Sequence, residues 1–236
     1  MYALLNDPIG KGIQDFASND FDENIIVASD ICDDDVIPVP MLFRTYKEMP
    51  KLEQTALSLC KGKVLDVGAG AGVHASYLQE KGFEVDAIDV SAGAVAYMKE
   101  VGLSARQANF FDEASGDYDT LLFLMNGIGI AGSLANLDAT LLHAKNLVAA
   151  HGKIICDSTD IKYLYEDENG GMWVDLSSEY YGNFHFQMRY KNHQTEGFDW
   201  LYVDFENLRE AAERTGWKAE LRFKDEEHYL AELTLI

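Results

Sequence analysis

With 236 residues, 47% of them hydrophobic and only four prolines, the chain has the material for one α/β domain with an appendage and is too apolar to be disordered. Nineteen basic residues against 40 acidic give a net charge of −21 spread along the chain, and a surface this acidic argues against DNA or RNA as a partner. Cys32, Cys60 and Cys156 are odd in number and widely spaced, which fits a reducing cytoplasm rather than a disulfide framework.

The opening MYALLNDPIG has no basic flank and no long apolar core, so it does not read as a signal peptide. Asp7 before Pro8 is a cap and first-turn pair, and Ile9, Ile13 and Phe16 follow at helical spacing. Asp33, Asp34 and Asp35 read as a solvated loop, because no other hard ligand lies at a recognised spacing. Phe43, Arg44, Thr45 and Tyr46 precede Pro50 and a second helix carrying Leu52, Ala56, Leu57 and Leu59.

The next stretch, KVLDVGAGAG from Lys63 to Gly72, organises the rest. Val64, Leu65 and Val67 belong to a fully buried strand, and five residues with almost no side chain follow. Val73, Tyr77 and Leu78 then mark one face of a helix that Gly82 stops. A strand, a bare loop and a helix N-terminus let a ligand touch backbone N–H groups. Beyond a strand at Phe83–Ile88 comes Asp89, where βαβ nucleotide folds put an acid that binds two ribose hydroxyls. The glycines fall at 68, 70 and 72, so the third is one residue early for the dinucleotide fingerprint GxGxxG.

VLDVGAGAG followed by AIDVS resembles motif I and the acidic strand end after it in class I S-adenosylmethionine (SAM)-dependent methyltransferases. The resemblance implies that Gly68, Gly70 and Gly72 line the methionine part of SAM, that Asp66 orders the loop or meets the amino group, and that Asp89 holds the ribose. It adds Ala69, Val90, Met125 and Asn126 to the cofactor contacts, with S-adenosylhomocysteine as product. For Arg44 and Tyr46 two readings stand: contact with the SAM carboxylate or acceptor, and local packing on the N-terminal helices. Residues 1–62 then form a helical cap, and 63–236 the SAM-binding domain.

Ser91 is placed to cap a helix with Val95 and Met98 inward, ending before Gly102. A third strand near Leu103–Ala108 leads to Asn109 and Phe110. The family usually has an acid near Asn109 that accepts from the adenine amino group; an Asn carbonyl oxygen accepts as well. Phe110 reads either as a flank of the adenine ring or as a core aromatic. Thr120–Leu137 is uncharged, but its glycines, asparagines and serine make it a buried strand and loop rather than a membrane span. The loop after this fourth strand, Asn126–Gly129, lacks the proline motif of DNA amino-methyltransferases and the nucleophilic Cys of cytosine-C5 enzymes. Leu137, Leu141, Leu142, Ala144, Leu147 and Val148 outline a helix closed at His151–Gly152, and Lys153–Ser158 a fifth strand. Asn126, Asp157 and Asp160 match the set of metal-dependent O-methyltransferases only partially, so no metal is expected.

Phe184, Phe186, Met188 and Tyr190 alternate with polar residues in a half-buried strand, joined by a turn to Phe198–Val203. This antiparallel insert of about 160–203 is rich in aromatics, among them Trp173, Tyr180, Tyr181 and Trp200. In small-molecule members of the family inserts here build the acceptor pocket; a sheet edge or homodimer interface would use the same aromatics. Asp204 caps a helix ending at Gly216, and two closing strands pair antiparallel through a short acidic link. The expected fold is a Rossmann-like doubly wound α/β sheet, mostly parallel with an antiparallel last strand, plus N-terminal helices and the insert.

In-line methyl transfer needs little covalent help, so the sequence specifies the cofactor better than the acceptor. Asn126, Asp157, Tyr163, His185 and Arg189 are the candidates near the methyl group. A cytoplasmic small-molecule methyltransferase is the leading reading; an NAD-dependent oxidoreductase and a non-catalytic SAM-binding module are the alternatives.

Overall fold

The computed structural model describes residues 6–20, 23–29, 31–165 and 180–236. In chain order its elements are α1 (Pro8–Ala17), β1 (Ile25–Ser29), β2 (Asp35–Ile37), α2 (Lys51–Leu59), β3 (Lys63–Val67), α3 (Val73–Glu80), β4 (Glu84–Asp89), α4 (Ala92–Glu100) and β5 (Ala105–Gln107). There follow β6 (Tyr118–Phe123), α5 (Leu134–Ala144), β7 (Val148–Thr159), β8 (Asn183–Tyr190), β9 (His193–Gln194), β10 (Phe198–Leu201), α6 (Phe205–Arg214), β11 (Trp217–Asp225) and β12 (His228–Leu235).

The main sheet has seven strands in the order β11-β12-β7-β6-β3-β4-β5. Strands β3 to β7 pair in parallel, and β12 enters antiparallel beside β7. Alternation along each strand sends successive side chains to opposite faces. Leu65, Leu121 and Phe123 meet Leu137 and Leu141 of α5 and Leu208 of α6. Val64, Leu122 and Ile155 meet Leu52 and Leu57 of α2, Leu78 of α3 and Met98 of α4. The sheet is thus covered on both sides, as parallel strands require, and the expected doubly wound fold is present.

The N-terminal segment differs from a purely helical cap. Its helices form, and Asp7 caps α1 by accepting from Gly10 N at 2.8 Å, but β1 and β2 lie between them. Strand β1 pairs antiparallel with β8, Ile26 opposite Arg189 and Ser29 opposite Phe186. The insert therefore does not stand alone: a second, antiparallel sheet runs β10-β8-β1-β2, with β9 on β8. Asp35, expected in a loop, begins the exposed edge strand β2. The helix expected to reach Val148 stops at Ala144, because Val148 already pairs with Tyr118 as the start of β7. Trp173 lies outside the described residues. Among the described residues no helix is long and apolar enough to cross a membrane.

Candidate active site

The loop after β3 is shaped by three left-handed glycines, Gly68, Gly70 and Gly72, with φ of 71°, 56° and 77°. Gly68 N and Ala69 N donate to Ile88 O at 2.9 and 3.1 Å, which ties the loop to the end of β4. A Cβ added at Gly68 or Gly70 would meet nothing within 4 Å, so both border open space. Gly72 differs: a Cβ there would come within 2.5 Å of Leu103 and 2.9 Å of Met98. It serves helix-on-sheet packing, the role of the third glycine in such loops.

Asp89 is buried at the tip of β4. Its Oδ2 accepts from Gly70 N and its Oδ1 from Ser91 N, both at 2.8 Å. Burial pushes its carboxyl above the ordinary Asp range, against the pull of these two N–H groups. Asp7 reaches the same corner from α1. Its Oδ2 accepts from Ser91 Oγ at 2.8 Å and Gly93 N at 2.9 Å. Gly10 and Gly93 make the approach possible, since a Cβ on Gly93 would lie 2.7 Å from the Gly10 backbone. The start of α1 is thereby fixed over the ends of β3 and β4.

These elements open on a cavity of about 910 Å³, near the upper end of the ~300–1,000 Å³ usual for small-molecule sites. One wall is made by Asp66–Ala71, Val73, His74, Ile88–Ala92 and Gln107–Phe111. The opposite wall comes from Asn6–Ile9, Ile37, Leu42, Met188 and Thr195–Trp200, with Leu124, Met125, Gly127 and Ile130 between the two. Asp66 Oδ2 is buried with no hydrogen-bond partner among the described residues. Burial raises the Asp66 pKa to about 6, offset in part by nearby His74 and the Ala75 N–H. Behind it His74 Nε2 lies 2.7 Å from Glu53 Oε2, and Arg44 pairs with the other Glu53 oxygen. Burial works to raise the Glu53 pKa, but the hydrogen bonds from His74 and Arg44 outweigh it and hold the group ionised.

The loop after β6 is strained, with Met125 and Asn126 both left-handed at φ of 62° and 58°. Asp157 secures it by accepting from Asn126 N at 2.9 Å, and Thr159 Oγ1 donates to Asn126 Oδ1 at 2.9 Å. Burial raises the Asp157 pKa to about 7. From the second sheet, Trp200 seals the loop: a Cβ on Gly129 would fall 2.2 Å from its Nε1.

Of the residues expected at the cofactor, Asp66, Gly68, Ala69, Gly70, Asp89, Val90, Asn109, Phe110 and Met125 line the cavity. Asn109 Oδ1 accepts from Phe111 N at 3.0 Å, and Phe110 is also a core aromatic, set edge-on to Phe123 and His143. Gly72, Asn126, Arg44 and Tyr46 are off the lining. Arg44 is held by Glu53, and Tyr46 stacks on Tyr77 with centroids 4.1 Å apart. Among the residues considered for catalysis, Asn126 and Asp157 hold the loop from behind. Tyr163 is exposed, His185 pairs with Asp199 and Arg189 with Asp34, all outside the lining. The reason in β8 is parity. Phe184, Phe186, Met188 and Tyr190 take the buried face, which leaves His185 and Arg189 on the other. Of the partial metal set, Asp160 accepts from Tyr181 OH at 2.8 Å, while Asn126 and Asp157 bond each other's segments. Residues 6–9, His74 and Phe111 were not foreseen in the lining, whereas 195–200 belong to the insert for which the resemblance implied an acceptor-pocket role. Met188, on the apolar face of an alternating strand, and Phe198 and Trp200, among the insert's aromatics, carried a signal for their place.

The family model of tellurite resistance protein TehB matches residues 44–118, from Arg44 through the glycine loop to Tyr118. An "uncharacterized methyltransferase" of Staphylococcus carnosus (strain TM300) is 28% identical over 197 residues, covering 82% of this chain and 86% of that protein. A SAM-dependent methyltransferase from Clostridium acetobutylicum shares the fold at 13% identity, with a TM-score of 0.58 over 81% of this chain and 92% of that one. The crystal structure of a SAM-dependent methyltransferase from Bacteroides fragilis, in complex with S-adenosyl-L-homocysteine, matches with a TM-score of 0.91 and 45% identity, over 98% of this chain and 95% of that one. These relatives favour methyl transfer over the NAD-dependent and non-catalytic readings. With its glycine cradle, its Asp89 corner and a relative this similar along nearly its whole length, the chain belongs to the SAM-dependent methyltransferases.

Proposed function

We propose that this methyltransferase acts on a small-molecule acceptor, with SAM along the ends of β3, β4 and β5 and the acceptor against the wall built by α1 and the second sheet. The observation that carries this reading is the continuity of the cavity, which joins the Gly68–Gly70 cradle to Thr195–Trp200 in one space. SAM supplies an electrophilic methyl group on a sulfonium. The chain's own residues fit it. The open space at Gly68 and Gly70 admits a backbone-hugging ligand, and the orphaned Asp66 Oδ2 lacks the kind of partner an ammonium provides. Asp89, fixed by two N–H groups, retains lone pairs for two ribose hydroxyls. Asn109 and the Phe110–Phe111 pair border the adenine end. On the far side, Met125, Gly127, Ile130 and Trp200 exclude water and hold the acceptor near the methyl carbon, where orientation contributes most of the acceleration.

Calorimetry tests the seat. S-adenosylhomocysteine is expected to bind one to one, and Asp89→Ala to weaken it by roughly 30- to 150-fold through the loss of two charge-assisted hydrogen bonds. A folded Asp89→Ala protein with unchanged affinity would move the ribose elsewhere.

A further inference from the structure

The cavity lining contains five carboxylates, Asp7, Asp66, Asp89, Glu196 and Asp199, and among the described residues no lysine or arginine. Asp7 is spent on α1 and α4, and Asp66 and Asp89 belong to the cofactor wall. Glu196 remains, exposed at the rim of the acceptor wall, whereas Asp199 stands opposite His185 and turns its carboxylate to that residue's outer face of the second sheet. Asp199 Oδ1 lies 2.8 Å from His185 Nδ1; Glu196 has no ion pair among the described residues. Beside Glu196, Phe198 and Trp200 present aromatic surface to the cavity. An anionic acceptor would meet the Glu196 carboxylate here with no lysine or arginine in the lining to offset it, whereas an ammonium gains from Glu196 and from the ring faces.

Resting on the placement of SAM proposed above, we infer that the acceptor is an amine on an apolar body, drawn in as an ammonium and methylated on nitrogen. The ammonium first gives a proton to a rim carboxylate or to water. The freed nitrogen lone pair then forms the N–C bond as the C–S bond breaks, and sulfur keeps that electron pair as S-adenosylhomocysteine. The nitrogen takes over the positive charge that the sulfonium loses.

Saturation-transfer NMR on the protein loaded with S-adenosylhomocysteine tests this with benzylamine, benzyl alcohol and benzoate as probes. Benzylamine is expected to bind in the millimolar range usual for so few atoms, and benzoate at least about tenfold more weakly. In Glu196→Gln the preference should shrink to within about threefold, with S-adenosylhomocysteine affinity unchanged. Benzoate or benzyl alcohol binding as tightly as benzylamine, no benzylamine binding, or a preference that survives in Glu196→Gln would each overturn the inference. A wild-type protein that takes up no S-adenosylhomocysteine would instead overturn the cofactor placement, and this inference with it.

Discussion

The two walls of the cavity are built on opposite principles. The cofactor wall is local: within 24 residues, from Asp66 to Asp89, one βαβ unit supplies the cradle, the orphaned carboxylate and the ribose acid. Its contacts are largely backbone, fixed by positive φ and by N–H groups that side-chain variation does not move. The acceptor wall is assembled from a distance. Helix α1, β1 and β2 come from the start of the chain and β8 to β10 from its last quarter, and they meet through the β1–β8 pairing. Chemistry common to a family can therefore sit on the first wall while specificity varies on the second.

The largest expected effect breaks the first wall alone. Gly70→Val would force a β-branched residue to φ of 56° and fill the open cradle; S-adenosylhomocysteine binding should fall by about 100-fold or more, read by calorimetry. Retained affinity would show that the cofactor does not hug this loop.

Next comes a break in the second wall. Phe186 is buried among Phe184, Phe198 and Tyr202, and Phe186→Ala should cost about 3–5 kcal/mol locally. Hydrogen exchange should accelerate in β1, β8 and β10 while S-adenosylhomocysteine still binds within about threefold of wild type. Uniform acceleration across β3 to β7 as well would mean that the two sheets open as one unit.

A smaller effect sharpens the comparison within the first wall. Burial raises the Asp66 pKa from 3.8 to about 6, so burial favours the neutral acid. Its stabilising contribution is full below about pH 4 and is lost as pH rises through about 6. SAM, by contrast, should need the carboxylate, so wild-type affinity should rise between pH 5 and 7. Asp66→Asn should flatten that profile and bind SAM about tenfold more weakly at pH 8. The same variant should be more stable than wild type without ligand at pH 8, by on the order of 1–2 kcal/mol. A steep pH profile persisting in Asp66→Asn would assign the titration to another group.

The same division explains what the sequence could disclose. The glycine loop, the strands around it, the caps at Asp7, Ser91 and Asp204 and the closing hairpin were legible because each is written within a few residues. Strands β1 and β2 were not, because five and three residues beside an acidic run carry too little alternation to mark strands, and the partner that holds β1 in its sheet, β8, lies more than 150 positions away. For the same reason His185 and Arg189 drew attention by their chemistry, although the apolar set at 184, 186, 188 and 190 was already taking the inner face. Arg44 was visible as a cation, but its partner Glu53 lay in a helix whose packing the sequence leaves open.

The pairing of Ile26 with Arg189 also has a meaning in time. On a ribosome adding roughly 5–20 residues per second, the apolar run Ile25, Ile26 and Val27 is made well before its distant partner strand β8. About 160 further residues must follow, roughly 10–30 s of synthesis, before β8 can cover it. During that interval the parallel strands of the seven-stranded sheet are all made, while β1 has β2 on one side and, on the other, an open edge with the composition of an aggregation-prone segment. Glu23 and the acidic residues from Asp33 to Asp35 flank that run on both sides, where like charge keeps neighbouring nascent chains apart until the last quarter of the protein arrives.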